Sequence, residues 1–293
     1  MTTFKEISIM QKRNLGVHMN STTINCILFV VITYLLTCIV AWSVPTQYVS
    51  PPVMFVPAIV AIGLTIYNKE KVRNLFKLSS LRTCFLGFII PIVTLYVVYF
   101  GIYLLIEYLL DLPREVEWTL EKVKDVNIAM LLFGLSMSFV VYIVFCLGEE
   151  IGWRSYLLKN LKSQIPNFYV RALVVGFIWA IWHMPIWYVM GPMLWEDGFT
   201  FTLSCAYIPM VCVFSIVFTW LFEKDNSVWP VTIFHATLDY IVQVIPSVFT
   251  TFSLPASNYI SALSMILMAI SYLIIGVGII WFDKTRGRRL SDS

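Results

Sequence analysis

Long apolar runs separated by short polar segments dominate this chain. Eight of them are close to the roughly 20 apolar residues that a membrane-spanning helix requires. They cover approximately residues 24–42, 52–67, 84–110, 126–147, 170–190, 201–222, 228–249 and 257–282. We find no internal repeat and no soluble domain boundary. The pattern therefore predicts an all-α, polytopic transmembrane helical bundle of about eight helices, built as a single membrane domain over residues 1–293.

The composition supports the same conclusion. Of the 293 residues, 59% are hydrophobic and only 13% are charged, whereas soluble globular domains contain about 25% charged residues. Lipid must therefore cover much of the surface. The first apolar run lacks a small-residue cleavage site behind it, so we interpret it as a span and not as a signal peptide. The chain has no phosphate-binding glycine loop and no nucleic-acid-binding signature, and we expect no nucleic-acid partner.

The basic residues fall mainly on one side of the predicted bundle. Seventeen of the 20 Lys and Arg residues lie in the two tails and in the segments that follow spans two, four and six. The opposite side has three, which are Arg114, Lys122 and Lys124. The positive-inside rule then predicts that both termini are cytoplasmic, with the protein in the cell membrane. The tail from Lys284 to Arg289 is interpreted as a stop-transfer anchor, although it could also bind anionic membrane lipids.

A few ionisable residues lie where the membrane makes them costly, at about 2.5–3.5 kcal/mol each on insertion scales. Such residues are functional candidates by default. They are Glu149, Glu150, Arg154, His183, His235 and Asp239. The remaining histidine, His18, is in the N-terminal tail and is interpreted as a surface residue.

Helix rise places three of these residues at a similar depth. An α-helix rises about 1.5 Å per residue, which places Glu149 about 15 Å from Lys159 along its helix. By the same measure, His183 lies about 18 Å from Arg171. His235 lies about 15 Å from Asp225. The three reference charges belong to the same predicted side of the membrane. We therefore expect polar groups from three helices to converge in one site.

Local spacing adds detail to this expectation. Glu150 and Arg154 are four residues apart, as are His235 and Asp239, so each pair shares a helix face. Pro185 follows His183 by two residues and removes a helical hydrogen bond, which predicts a kink beside this histidine. Such a kink would open room for water or substrate.

These residue types are compatible with two kinds of hydrolytic chemistry. A glutamate can act as general base on a water molecule while histidines or amides stabilise an oxyanion. Alternatively, His183 and His235 could bind zinc together with Asp239 or Glu149, because catalytic zinc sites use three protein ligands and water. The HExxH signature is absent, so we favour no cofactor, with zinc as the alternative. Nucleophilic catalysis is less favoured.

Nucleophile candidates lack the expected partners. Cys146 precedes Glu149 but has no obvious base at helical spacing, and Ser136 and Ser138 have no GxSxG context. The six cysteines lie in or beside apolar runs without a CxxC pair, and we interpret them as small buried hydrophobic residues. Trp182 and Trp187 could wall a lipid-like substrate, but an interfacial belt or core packing is the preferred interpretation.

Three motifs resemble those of the CAAX-protease and bacteriocin-processing family, which includes the type II CAAX prenyl endopeptidases. An EExxxR motif occurs at residues 149–154, a variant of FxxxH at residues 179–183, and an HxxxN or HxxxD motif at residues 235–239. The resemblance covers approximately residues 145–240, within a motif-bearing core that we place at residues 126–249. It implies an intramembrane endopeptidase that cleaves a membrane-embedded or lipidated peptide.

The resemblance also implies roles for the residues. Glu149 and His183 would activate water, and His235 and Asp239 would stabilise the oxyanion. Glu150 and Arg154 would brace the site. Trp179 stands where the family has phenylalanine and keeps an aromatic wall. Asp239 stands where the prenyl endopeptidases have asparagine. An ionised aspartate cannot donate a hydrogen bond to an oxyanion. Asp239 would therefore have to be protonated, orient His235 or bind a metal.

Two other function classes remain open from the sequence. One is a non-catalytic membrane protein of the same fold, such as an immunity or scaffold factor. The other is a proton-coupled transporter, which intramembrane carboxylates and histidines would also suit. The absence of repeated halves makes a transporter the less favoured of the two.

Overall fold

The computed structural model describes residues 21–110, 122–245, 248 and 257–285, and the fold is all-helical within them. Both tails lie outside these residues, as do His18, Arg114 and part of the end of the predicted span 228–249. The predictions made for them are not addressed by the structure.

The first half of the chain runs from α1 to α4. It contains α1 (Ser21–Ser43), α2 (Ser50–Tyr67), α3 (Leu81–Val93), a π-helical segment (Thr94–Tyr99) and α4 (Phe100–Leu110), with short 3-10 turns at Thr46–Tyr48 and Val72–Phe76. The second half contains α5 (Ile128–Glu150), a π-helical segment (Ile151–Leu158), α6 (Lys159–Leu161), α7 (Phe168–Trp182), α8 (Met184–Leu194), α9 (Phe201–Asp225), α10 (Val228–Asp239), a π-helical segment (Tyr240–Val244) and α11 (Asn258–Thr285). Side-chain N-caps at Ser80, Asn127, Asn167, Thr200 and Ser227 mark where five of these helices begin.

Among the described residues, six helical stretches are long and apolar enough to cross a membrane, and the bent pair α7 and α8 makes a seventh. The shorter helix α10, with the π-helical segment that follows it, corresponds to the remaining predicted run. The prediction of a polytopic helical bundle of about eight helices is therefore confirmed. The chain is an integral, multi-pass membrane protein.

The end of α5 packs very closely on α2. Gly148 and Gly152 are the contact points, since a Cβ atom at Gly148 would lie 2.6 Å from the carbonyl oxygen of Met54, and one at Gly152 would overlap Pro57. Small residues four positions apart let transmembrane helices approach to backbone contact. The two glycines flank the predicted glutamates and thus fix them against α2.

The chain bends by 52° between α7 and α8. His183 lies at the bend, and Pro185 is in the first turn of α8. Proline removes a backbone N–H and clashes with the carbonyl four residues earlier, which here belongs to Ile181. The predicted kink beside His183 is confirmed.

Polar contacts join several helix ends and one loop at one end of the bundle. Asp225 accepts hydrogen bonds from Ser79 and from the backbone of Ser80. Arg171 pairs with Glu223 at 2.5 Å, and Lys224 pairs with Asp283 at 3.0 Å. These segments belong to the side on which the basic residues are concentrated. Their grouping agrees with the predicted sidedness, while the cytoplasmic location of this end stays a prediction.

Candidate active site

The six candidate residues come from three parts of the bundle. Glu149 and Glu150 end α5, Arg154 follows in the π-helical segment, His183 lies at the bend, and His235 and Asp239 are on α10. Glu149, Glu150, Arg154 and His235 are buried, whereas His183 and Asp239 are half-buried. The structure brings all six together, through direct contacts or through Trp179.

Glu150 is the centre of one set of contacts. Its Oε1 accepts a hydrogen bond from Nη1 of Arg154 at 3.1 Å and another from Nδ1 of His235 at 2.8 Å. An ionised carboxylate only accepts hydrogen bonds, so Nδ1 of His235 is the donor. Glu150 therefore connects the first and third motifs and fixes the orientation of the His235 ring.

The guanidinium of Arg154 is held between two aromatic rings. Its Cζ lies 4.3 Å from the ring centroid of Trp179 and 4.6 Å from that of Phe218. Within the described part of the chain, Nε and Nη2 make no hydrogen bond. Desolvated cation–π contacts are worth about 2 kcal/mol or more, which partly offsets the cost of this burial. Arg154 thus braces the site by packing as well as by charge.

Trp179 connects Glu149 to His183. Its indole Nε1 donates to Oε2 of Glu149 at 2.8 Å, and its carbonyl oxygen lies 2.8 Å from Nδ1 of His183. A carbonyl only accepts, so Nδ1 of His183 carries the proton and donates. In the neutral ring the lone pair is then on Nε2, which is the atom able to bind a water proton or a metal.

Aromatic side chains surround His183. Its ring is parallel to that of Trp187, with centroids 5.7 Å apart, and forms edge contacts with Trp182 at 4.7 Å and Tyr207 at 5.4 Å. Trp182 is fully buried and donates to Thr37 at 2.7 Å, which agrees with the preferred interpretation as core packing. These rings restrict the orientation of the histidine.

The second nitrogen of His235 faces a different group of residues. Nε2 lies 3.8 Å from Oδ2 of Asp239, which is too long for a hydrogen bond. Within the described residues, potential ligand atoms of Cys146, His235 and Asp239 all lie within 4.8 Å of one another. This group shares His235 and Asp239 with the predicted zinc ligands, but it contains Cys146 in place of His183.

Sequence reasoning missed two contributors to this site. Trp179 was interpreted as an aromatic wall, yet its indole is also a hydrogen-bond donor that phenylalanine lacks. The sequence predicts Cys146 as a small buried hydrophobic residue and not as a nucleophile, because no obvious base occurs at helical spacing from it. The available signal was its four-residue spacing to Glu150, which places both on one face of α5, toward α10.

Comparison with known families agrees with these motifs. Residues 129–241 match the family model described as type II CAAX prenyl endopeptidase Rce1-like. A search of curated proteins gives no match to the chain. The matched segment runs from the start of α5 to just beyond Asp239 and contains all three motifs, which supports a CAAX-type intramembrane protease in general. With the three motifs in order inside it, the segment at residues 129–241 is similar to the type II CAAX prenyl endopeptidases, and this match supports the CAAX-protease and bacteriocin-processing family.

Proposed function

We propose that this protein is an intramembrane endopeptidase in which Glu149 acts as general base on the attacking water and His183 helps to hold that water. The observation that carries the proposal is the connection of both side chains to Trp179. One residue thereby orients a buried carboxylate and a histidine whose Nε2 is free to accept a proton. Positioned general bases contribute about 10²–10⁴-fold to a reaction rate.

The proposed reaction is hydrolysis of a peptide bond. Water attacks the carbonyl carbon while Glu149 takes one of its protons, and a tetrahedral oxyanion forms. Glu149 then returns the proton to the nitrogen of the breaking C–N bond, which releases the new amine and carboxyl termini. The carboxylate is regenerated at the end of the cycle.

His235 and Asp239 are the proposed oxyanion stabilisers. Because Nδ1 of His235 donates to Glu150, Nε2 can donate only when the ring carries protons on both nitrogens. The carboxylates of Glu150 and Asp239 on its two sides would stabilise that charged ring. A protonated Asp239 could itself donate to the oxyanion. Glu150 and Arg154 then act as positioning residues that hold His235.

The mechanism requires no cofactor in this proposal. Zinc catalysis through His183, His235 and Asp239 or Glu149 is the alternative. Nε2 of both histidines has the lone pair that zinc would need, but Glu149 is already hydrogen-bonded to Trp179. We therefore favour glutamate-activated water over a metal-bound nucleophile.

The proposed substrate is a membrane-associated peptide. The matched family is named for prenyl endopeptidases, so a C-terminal CAAX peptide with a prenylated cysteine is the first substrate to test. An unprenylated peptide of the same sequence serves as the control for lipid recognition.

The test is cleavage by the purified, detergent-solubilised protein, with products identified by mass spectrometry. We expect the wild-type protein to cleave the peptide and Glu149→Gln, matched in thermal stability, to lose this activity. Equal cleavage by both proteins would remove Glu149 from the mechanism. No cleavage of any CAAX or leader peptide by the folded wild type would favour the scaffold or transporter class.

A further inference from the structure

Cys146, His235 and Asp239 form a group that the proposed catalytic mechanism does not explain as a whole. Cys146 is on α5, and the other two are on α10, which packs against α5. Cys146 and His235 are buried, and the side chain of Asp239 is 23% exposed. A thiol, an imidazole and a carboxylate thus lie within 4.8 Å of one another, and the carboxylate is partly exposed.

The orientation of His235 is that of a metal ligand. Glu150 accepts from Nδ1 at 2.8 Å, so the neutral ring presents the lone pair of Nε2 toward Asp239, while Cys146 lies in the same cluster of potential ligands. Histidines that bind metals typically donate the other ring N–H to a carboxylate in this way, which fixes the tautomer and raises the basicity of the ligating nitrogen. Arg154 in turn holds Glu150.

The distance between two of the potential ligand atoms is close to the separation expected around a shared zinc ion. Nε2 of His235 and Oδ2 of Asp239 are 3.8 Å apart. With zinc–ligand bonds of about 2.0–2.2 Å, two ligands of a tetrahedral zinc lie about 3.3–3.6 Å apart. Two acceptor atoms facing each other at this separation repel unless a proton or a cation lies between them.

We propose that Cys146, His235 and Asp239 bind one zinc ion per chain through Sγ, Nε2 and a carboxylate oxygen, with the fourth position open to water. The mixed sulfur, nitrogen and oxygen donor set is typical of zinc and excludes magnesium and calcium, which prefer oxygen ligands. Zinc binds the thiolate, so binding releases the Cys146 proton to solvent. Asp239, with its side chain 23% exposed, is the most accessible of the three proposed ligands.

This proposal does not depend on protease activity. Under the proposed function, however, zinc and the oxyanion would compete for His235 and Asp239. Zinc bound here would then inhibit cleavage, in contrast to a catalytic zinc.

The test is zinc binding to the purified full chain after metal removal, measured by equilibrium dialysis and elemental analysis. Cys26→Ala is the matched control, because Cys26 is also a buried thiol but lies on α1. We expect one zinc per chain in the wild type and in Cys26→Ala. In Cys146→Ala the dissociation constant should rise by about 100-fold or more, since even outer-shell changes cost 10–100-fold.

Two further measurements guard against a folding artefact. Asp239→Asn preserves the shape of a half-exposed side chain and should also weaken zinc binding. With cobalt as a probe, the wild type should show a sulfur-to-metal charge-transfer band that Cys146→Ala lacks. The proposal is overturned if the wild type binds no zinc, or if Cys146→Ala and Asp239→Asn both bind it as tightly as the wild type.

Discussion

The indole Nε1 of Trp179 donates a 2.8 Å hydrogen bond to Oε2 of Glu149. The related family pattern has phenylalanine at this position, and phenylalanine cannot donate. Trp179 therefore gives the residue proposed as general base a polar contact that phenylalanine could not supply. The same tryptophan accepts from His183 through its carbonyl oxygen and contacts the guanidinium of Arg154.

Replacing Trp179 with phenylalanine should slow catalysis without abolishing it. The aromatic packing remains, but Glu149 loses a donor, and hydrogen bonds to charged groups contribute about 1.5–3 kcal/mol. We expect kcat to fall by about 10–100-fold with little change in KM. Trp220→Phe is the control, because this buried indole donates to Asp283 and lies outside the site. A similar loss of kcat in both variants would argue against a specific role for Trp179.

Arg154→Ala should destabilise the protein as well as inactivate it. The substitution leaves Glu150 buried without its cationic partner, and breaking a buried ion pair in this way costs about 3–5 kcal/mol. We expect a lower thermal midpoint in detergent and a reduced folded yield. Arg73→Ala, at an exposed position in the 3-10 turn Val72–Phe76, should leave both unchanged. An unaltered midpoint in Arg154→Ala would contradict the buried placement of this pair.

Gly152→Ala should disturb the position of the glutamates. The new Cβ would lie 2.8 Å from the carbonyl carbon of Pro57 and 2.9 Å from its oxygen, so α2 must shift. Overpacking of this kind costs about 1–3 kcal/mol, and activity should fall with stability. Gly134→Ala is the control within α5, since its Cβ would meet no atom within 4 Å. It should be neutral or stabilising, because alanine favours helix by about 1 kcal/mol over glycine.

Most of the helices, the pairing of Glu150 with Arg154 and the bend at His183 could be predicted from the sequence, because each depends on local physical chemistry. Membrane insertion requires long apolar runs, so hydropathy located the spans. The cost of burying charge singled out Glu149, Glu150 and Arg154, and helical spacing paired Glu150 with Arg154. Pro185 predicted the bend because its effect on the backbone is local.

Other features could not be read from the chain because they depend on contacts between distant segments. Glu150 and Asp239 are each followed directly by a π-helical segment. Such segments are frequent at functional sites, but they have no reliable sequence signature. The hydrogen bond from His235 to Glu150 joins residues on two helices that are far apart in sequence. The approach of Cys146 to His235 likewise depends on how α5 packs on α10.

Removing bound metal distinguishes activation of water by Glu149 from catalysis by a zinc ion. If Glu149 activates water directly, the protein should retain its cleavage activity after chelation and removal of bound metal. A catalytic zinc would require loss of activity on chelation and recovery when zinc is added back. Measuring the metal content and the cleavage rate on the same sample distinguishes these outcomes.

The most direct test of the account is the cleavage rate of Glu149→Gln under single-turnover conditions. Glutamine keeps the size of the side chain and an oxygen that can accept from Trp179, so the fold should be preserved, with a thermal midpoint close to that of the wild type. We predict a rate lower by about 10²–10⁴-fold or more, because the general base is lost. A folded Glu149→Gln protein that cleaves the peptide at the wild-type rate would contradict it.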